Sequence, residues 1–357
     1  MIRVLVAEDS PTARFLLVGM LSEDPDIQIV AEATNGVEAV EMAERLRPDL
    51  VTMDVQMPGL DELQATEQIM ARAPCPILIV SSQARDSDIR LSLDATRAGA
   101  LLVLPKPEGP RSPQFEADKR HLVSMVKALS HVKVVRRRGS EMRDGYSQTQ
   151  SDRASVAPAS GAPNSRRGAA TLVAIGSSTG GPAALRDMVL ELPRTFAAPI
   201  FVVQHIARGF VQGLARWLGA DAGIVVKVAT DGEVARAGTM YIAGDGRHLE
   251  VRRESHGAFR VALTTSEPVG TFRPSVTRLF ETAAEAAGHG VLAVILTGMG
   301  DDGVAGLSTV RQRGGTVIAQ NEASSVIYGM PREAVNAGVV DMVLPLRDIS
   351  RRLQELT

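Results

Sequence analysis

A single cysteine, Cys75, is available to 357 residues, so neither an internal disulfide framework nor a cysteine-based zinc site can be built. Its apolar surroundings, Ala73 to Val80, predict a buried thiol in a reducing compartment, with a catalytic role a minor alternative. Charge of one sign is also lacking. Lys plus Arg is 39 against 41 Asp plus Glu, a formal net charge of -2, so no global field favours nucleic acid or an anionic membrane. Long hydrophobic runs are missing too, none reaching the roughly 18 residues of a spanning helix. The start, Met1-Ile-Arg-Val-Leu-Val-Ala-Glu-Asp, turns acidic too early for a signal peptide. The expectation is a soluble cytoplasmic protein with no nucleic acid partner and no membrane insertion.

What is present reads as two α/β halves. Apolar runs at 2–7, 27–32, 49–53, 76–81 and 101–104 alternate with helical patterns at 12–22, 36–46, 62–72, 86–98 and 115–130. That rhythm predicts a flavodoxin-like, doubly wound domain of five parallel strands over residues 1–131. Residues 132–169, rich in Ser, Ala, Gly, Pro and Arg and without periodicity, read as a flexible linker. Residues 170–357 begin a second pattern, with strands at 171–175, 199–204, 223–228, 239–243, 259–264, 291–296, 315–319 and 339–344. Interspersed helices at 181–190, 209–218, 274–287, 303–313 and 331–337 predict a Rossmann-like, mainly parallel sheet with an antiparallel insertion around 223–264.

In the first half, Glu8-Asp9 follow the first strand and Asp54 ends the third. In a doubly wound sheet, ligands gather at the carboxyl ends of strands where the strand order switches, so these acids should meet there. Three carboxylates repel without a cation, and an oxygen-seeking ion such as Mg2+ relieves that repulsion. Ser81 and Lys106 end strands four and five. Each acid alone could be a solvated turn or cap residue, but five such groups at four strand ends form a pattern.

Residues 1–130 closely resemble the receiver domain of two-component response regulators. The resemblance implies that Asp54 accepts a phosphoryl group from a histidine kinase, that Glu8, Asp9 and Asp54 bind Mg2+, and that Ser81 and Lys106 sense the phosphate. Three departures stand out: Glu8 where many receivers carry a second Asp, Glu62 in place of a turn glycine, and Val103 in place of a switch aromatic.

In the second half, Gly176-Ser177-Ser178-Thr179-Gly180-Gly181 is a tight turn between an apolar run and a helix. Such a turn can present a nucleophile, cradle a phosphate, or simply reverse the chain. The segment lacks the G-x-G-x-x-G spacing of a dinucleotide site. A serine nucleophile needs a base, a group to orient it and oxyanion donors. Among six histidines, His121, His131, His256 and His289 fit surface positions, whereas His205 closes the apolar strand 200–204. His248 is the runner-up, read as a hairpin-turn residue. The run Val291 to Gly303 breaks into glycines and two aspartates, and spacing alone does not separate Asp301 from Asp302. Amides of Thr179 and Met299 are candidate oxyanion donors.

The motifs at 175–181, 204–205, 241–248, 273–276 (Arg-Pro-Ser-Val), 296–303, 319–325 and 329–334 together resemble the catalytic domain of the chemotaxis protein-glutamate methylesterase. That resemblance implies Ser178 as nucleophile, His205 as general base and acid, and Asp302 as its partner, with Ser177 where the commoner form has alanine. It further implies hydrolysis of glutamate methyl esters on chemoreceptor cytoplasmic helices, possible glutamine deamidation, activation by phosphorylation, and no cofactor for the esterase step. The competing class is a non-catalytic response regulator whose second domain binds receptors or another output partner.

Overall fold

The structure is a computed structural model describing residues 1–55, 57–60, 62–81, 86–132, 134 and 170–357, without the side chains of residues 62 and 86–88. The expected linker therefore lies almost wholly outside the described residues.

Five strands, β1 (Ile2–Ala7), β2 (Ile27–Ala33), β3 (Leu50–Met53), β4 (Ile77–Ser81) and β5 (Leu102–Pro105), form one parallel sheet in the order β2-β1-β3-β4-β5. Five helices alternate with them: α1 (Pro11–Ser22), α2 (Gly36–Leu46), α3 (Glu62–Arg72), α4 (Asp86–Ala98) and α5 (Phe115–Leu129). Local chemistry sets their ends. Ser10 caps α1 by accepting from the Ala13 amide, with Pro11 in the first turn where its missing N–H costs nothing. Asn35 caps α2 through the Glu38 amide at 2.9 Å, and Gly99 at φ 124° ends α4.

The second half is built on seven strands in the order β14-β13-β12-β6-β7-β9-β8. These are β6 (Leu172–Ser177), β7 (Ile200–Gln204), β8 (Val225–Val228), β9 (Thr239–Ile242), β12 (Val291–Ile295), β13 (Thr316–Gln320) and β14 (Met342–Leu344), and every neighbouring pair is parallel. The antiparallel insertion is thus smaller than expected. Residues 225–242 join the main sheet, and only β10 (His248–Arg253) with β11 (Phe259–Thr264) makes a separate hairpin. His248 begins a strand rather than occupying a turn. Its strand carried only a weak signal, because the alternation rests on Leu249 and Val251 alone and the polar His248 and Glu250 beside them are buried as well.

The helices are α6 (Gly181–Glu191), α7 (Val211–Gly219), α8 (Val276–Ala287), α9 (Val304–Gln312), α10 (Met330–Asn336) and α11 (Leu346–Leu356). Helix α11 was not anticipated; Ile349 and Leu353 bury one face of an otherwise charged segment. Strands β6, β7 and β12 lie side by side at the sheet centre, so the loops at their carboxyl ends open into one crevice.

Helix α4 of the first half packs against α6 and α7 of the second. Ile89 stands so close to Gly213 that a Cβ there would approach its Cγ2 to 2.3 Å. The indole Nε1 of Trp217 donates to Asp94 Oδ1 at 2.7 Å across the same boundary. Among the described residues, no helix is long and apolar enough to cross a membrane.

Candidate active site

The acid cluster of the first half forms where the sequence placed it. Glu8, Asp9 and Asp54 offer oxygen atoms within 4.8 Å of one another, at the point where β1 and β3 adjoin. Lys106 reaches in from the end of β5, its Nζ 2.9 Å from Glu8 Oε1 and 2.8 Å from Asp54 Oδ2. Burial works against the lysine's charge, but its bonds to Asp54 and Glu8 outweigh it and raise its pKa. Burial foremost, with Asp54's repulsion, raises the Glu8 pKa against the pull of Lys106. Glu8 Oε2 is buried without a hydrogen-bond partner. An all-carboxylate donor set with an orphaned oxygen fits a hard divalent cation such as Mg2+. Ser81 is fully buried at the end of β4, and its carbonyl accepts from the Lys106 amide at 2.9 Å. Val103 is buried one strand away. The side chain of Glu62 lies outside the described residues.

In the second half the two adjacent serines part company. Ser177, fully buried in β6, donates to Gln204 Oε1 at 2.6 Å. Ser178 is one residue past the strand, partly exposed, and lines a cavity of about 910 Å3 together with His205. Gln204 ties the two loops together, its Nε2 donating to the carbonyls of Ser178 and His205 at 2.8 Å each. Nothing in the sequence marks Gln204 for this role beyond its place beside His205.

Glycines let backbone approach the serine. Gly180, the residue before α6, has φ 78°, and a Cβ on Gly298 would lie 2.7 Å from Ser178 Cβ. The amide of Ser178 donates to the Thr297 carbonyl at 3.0 Å, which brings the 297–299 segment alongside. Met299 therefore follows a residue in contact with the serine, and Thr179 is its neighbour in the chain.

His205 Nε2 is 3.0 Å from Asp302 Oδ2, with its N–H off the line of an aligned hydrogen bond. Catalytic hydrogen bonds are often loose before substrate binds. The imidazole lies flat on Phe272, ring centroids 4.4 Å apart and planes 1° from parallel, a partner not foreseen from the sequence. The two aspartates are now distinguished. Asp301 is exposed and Asp302 is buried, accepting from Ser275 Oγ at 2.8 Å and from the amides of Val276 at 2.8 Å and Thr277 at 3.0 Å. Burial alone would raise its carboxyl, but His205 and those two amides overcome it and lower the pKa. Of the other histidines, 121, 131, 256 and 289 are exposed, and His248 is fully buried away from the cavity lining.

A hydroxyl, an imidazole and a carboxylate at the ends of three adjacent strands, beside backbone amides, can support acyl transfer. The cavity is also lined by Met70, Leu93, Thr96 and Val103 of the first half, so the phospho-acceptor-type domain sits against the serine crevice.

Fold and site together define a response regulator whose output domain has hydrolase architecture. Residues 4–112 match the response regulator receiver domain, and residues 173–353 match CheB methylesterase. The chain belongs to the CheB methylesterase family. It is 49% identical to protein-glutamate methylesterase/protein-glutamine glutaminase 4 of Myxococcus xanthus, across 99% of this chain and 96% of that one. It is 47% identical to the corresponding protein 3 of Anaeromyxobacter dehalogenans, across 99% and 98%. The crystal structure of the Thermotoga maritima CheB methylesterase catalytic domain, 41% identical, superposes with a TM-score of 0.52 over 53% of this chain and 99% of its own.

Proposed function

We propose that the chain hydrolyses methyl esters of glutamate side chains on the cytoplasmic helices of chemoreceptors, under control of an aspartyl phosphate. Its division is a receiver at 1–131, a linker at 132–169 and a catalytic domain at 170–357. The observation that carries this reading is the convergence of Ser178 and His205 on one cavity, with Asp302 behind the imidazole.

In this reading Ser178 Oγ attacks the γ-carbonyl carbon as His205 takes its proton. Nε2 faces Asp302, which leaves Nδ1 for proton traffic with the serine. The amides of Thr179 and Met299 receive the developing oxyanion. Collapse breaks the ester C–O bond, and His205 returns the proton to the leaving oxygen as methanol. Water then gives a proton to His205 and its oxygen to the acyl carbon; the bond from that carbon to Ser178 Oγ breaks, His205 returns the proton to Oγ, and the glutamate carboxylate is released. A glutamine amide follows the same path with ammonia as leaving group, and the step calls on no cofactor. Asp302 stays ionised and orients the ring.

In the receiver, Asp54 takes a phosphoryl group from a chemotaxis histidine kinase in the cytoplasm. Glu8, Asp9 and Asp54 would hold Mg2+, and Ser81 and Lys106 would contact the new phosphate. Bound there, such an ion would supply positive charge to offset that of the carboxylates and the phosphoryl oxygens. The packing of α4 on α6 and α7 supports a closed state before phosphorylation, from which phosphorylation shifts the population to an open one.

The test is methanol release from methylated receptor fragments by wild type, Ser178→Ala and Asp54→Ala, with and without a small-molecule phosphodonor. Loss in Ser178→Ala and a phosphodonor response absent from Asp54→Ala are expected. Unchanged turnover in Ser178→Ala would remove the nucleophile, and no turnover in any form would return the chain to a binding-module regulator.

A further inference from the structure

His248 has no place in the reaction just described, yet its ring is fully buried and held at both nitrogens. The Ser275 amide donates to Nδ1 at 3.3 Å, and Nε2 lies 3.1 Å from the carbonyl oxygen of Glu267. An accepting nitrogen carries no proton and a carbonyl can only accept, so these partners require the Nε2–H tautomer. The imidazole is therefore a two-ended strut between a loop carbonyl and the backbone of Ser275.

Ser275 is the residue on which Asp302 depends. It begins α8 as its N-cap, with extended backbone and Oγ accepting from the Arg278 amide at 3.3 Å. The same Oγ donates to Asp302 Oδ1, and the next two amides, of Val276 and Thr277, donate to the carboxylate as well. Those amides are first-turn donors with no partner inside the helix, and the positive end of the helix dipole favours an anion there. Thr277 closes the arrangement, its Oγ1 accepting from the Gly303 amide at 2.7 Å. All three donors to Asp302 thus share one rigid origin, and the side chain bound to the backbone at that origin is His248.

We propose that His248 is a positioning residue for the hydrolysis: by fixing the Ser275 amide it aims the start of α8 at Asp302, and Asp302 in turn fixes His205. The competing interpretation is a histidine that merely satisfies the core. The two differ in what they couple to. A core residue contributes stability whatever occupies position 302, whereas a positioning residue contributes to rate only through Asp302. The proposal rests on the Ser178–His205–Asp302 reading, and its test separates the two.

The experiment measures kcat and KM for methanol release by the full-length chain with a phosphodonor, alongside thermal unfolding. The variants are His248→Ala, His248→Asn, His248→Gln, Asp302→Ala and the double variant His248→Ala with Asp302→Ala. His248→Ala should lower kcat on the order of 10- to 100-fold with little change in KM. Asn, whose amide oxygen can take the Ser275 N–H in place of Nδ1, should recover most of that loss. Gln, whose amide reaches the Nε2 position and so can donate to the Glu267 carbonyl but not take the Ser275 N–H, should not. In the Asp302→Ala background His248→Ala should cost nothing further in kcat. If His248→Ala does not fold, the Asn and Gln pair reads the same contact with a polar side chain retained. Equal rates for Asn and Gln, or a full additional loss in the double variant, would overturn the proposal. A slow Asp302→Ala beside a wild-type-like His248→Ala would overturn it alone, and a wild-type-like Asp302→Ala would remove the triad reading and the proposal with it.

Discussion

Trp217 in α7 donates its indole N–H to Asp94 in α4 at 2.7 Å, a hydrogen bond that spans the boundary between receiver and catalytic domain. Asp94 also lies 3.9 Å from Arg90 on its own helix, and about a quarter of its side chain is exposed, 28%. A partly solvated bond of this kind is worth about 1 kcal/mol. Removing it biases a closed-to-open equilibrium by roughly fivefold. Asp94→Ala is therefore predicted to raise methanol release without phosphodonor by several-fold, and to leave the phosphodonor-stimulated rate almost unchanged. Because Trp217 is the sole tryptophan, its emission reports the same event directly. Phosphodonor should increase acrylamide quenching of the wild type, and an unchanged quenching constant would detach this contact from activation.

Gly213 provides a sharper test, because helix preference and docking pull in opposite directions there. It lies inside α7, where alanine is favoured over glycine by about 0.5–1 kcal/mol. The added Cβ would nonetheless meet Ile89 Cγ2 at 2.3 Å, across the domain boundary. Gly213→Ala is predicted to raise the rate without phosphodonor while the catalytic domain melts no earlier than in wild type. A melting temperature that falls with no gain in basal rate would place the cost within α7 instead.

How much of this was legible in the sequence follows from how far each contact reaches along the chain. The receiver helices and strands were readable because apolar periodicity and caps such as Asn35 and Gly99 act within a few residues. Ser178 and His205 were legible for the same reason, each being marked by the strand it follows. The choice between Asp301 and Asp302 was not, since it is made by amides 25 and 26 residues away at the start of α8. Strand β10 escaped because its alternation rests on two apolar residues, Leu249 and Val251, and nothing local shows that Glu250 is buried against Arg278 and Thr264. The Trp217–Asp94 bond, 123 residues apart, left no local signature at all.

Cys75 should be chemically silent in the folded protein. Burial foremost pushes its thiol up to about 12, so at neutral pH almost none of the reactive thiolate exists. Ellman's reagent at pH 8 is predicted to titrate no thiol in native protein and one per chain in denaturant. Rapid native labelling would mean that the α3 to β4 connection opens.

The adjacent serines should respond in opposite ways to the same substitution. Ser178→Ala removes the proposed nucleophile and should lower turnover by at least about a thousandfold. Ser177→Ala removes a buried bond to Gln204 Oε1 but leaves Gln204 Nε2 free to hold the carbonyls of Ser178 and His205. It should cost about 1 kcal/mol of stability and change kcat only a few-fold. Gln204→Leu strands both carbonyls and the Ser177 hydroxyl, so it should lower kcat and stability together. Turnover and denaturant midpoints on the three variants check the order, and a Ser177→Ala as inactive as Ser178→Ala would reassign the hydroxyl.

The stability contributed by Asp302 should depend on pH in one direction. Its carboxyl pKa is lowered in the fold, since burial is outweighed by His205 and by the amides of Thr277 and Val276. A depressed folded pKa means that the unfolded chain takes up the proton first as acid is added. The contribution is then fully present above the ordinary aspartate value of about 3.9, and is lost as pH falls through the lower folded value. Asp302→Ala strands the Ser275 hydroxyl and two buried amides, which should cost about 2–5 kcal/mol at pH 7. That gap between wild type and Asp302→Ala should hold steady from pH 7 to about pH 5 and narrow only in more acid solution. Denaturant unfolding of both proteins at pH 7, 5 and 3 measures it. A gap that instead widened toward pH 3 would mean the carboxyl is protonated more readily in the fold than out of it, and the donors at the start of α8 would not be stabilising its charge.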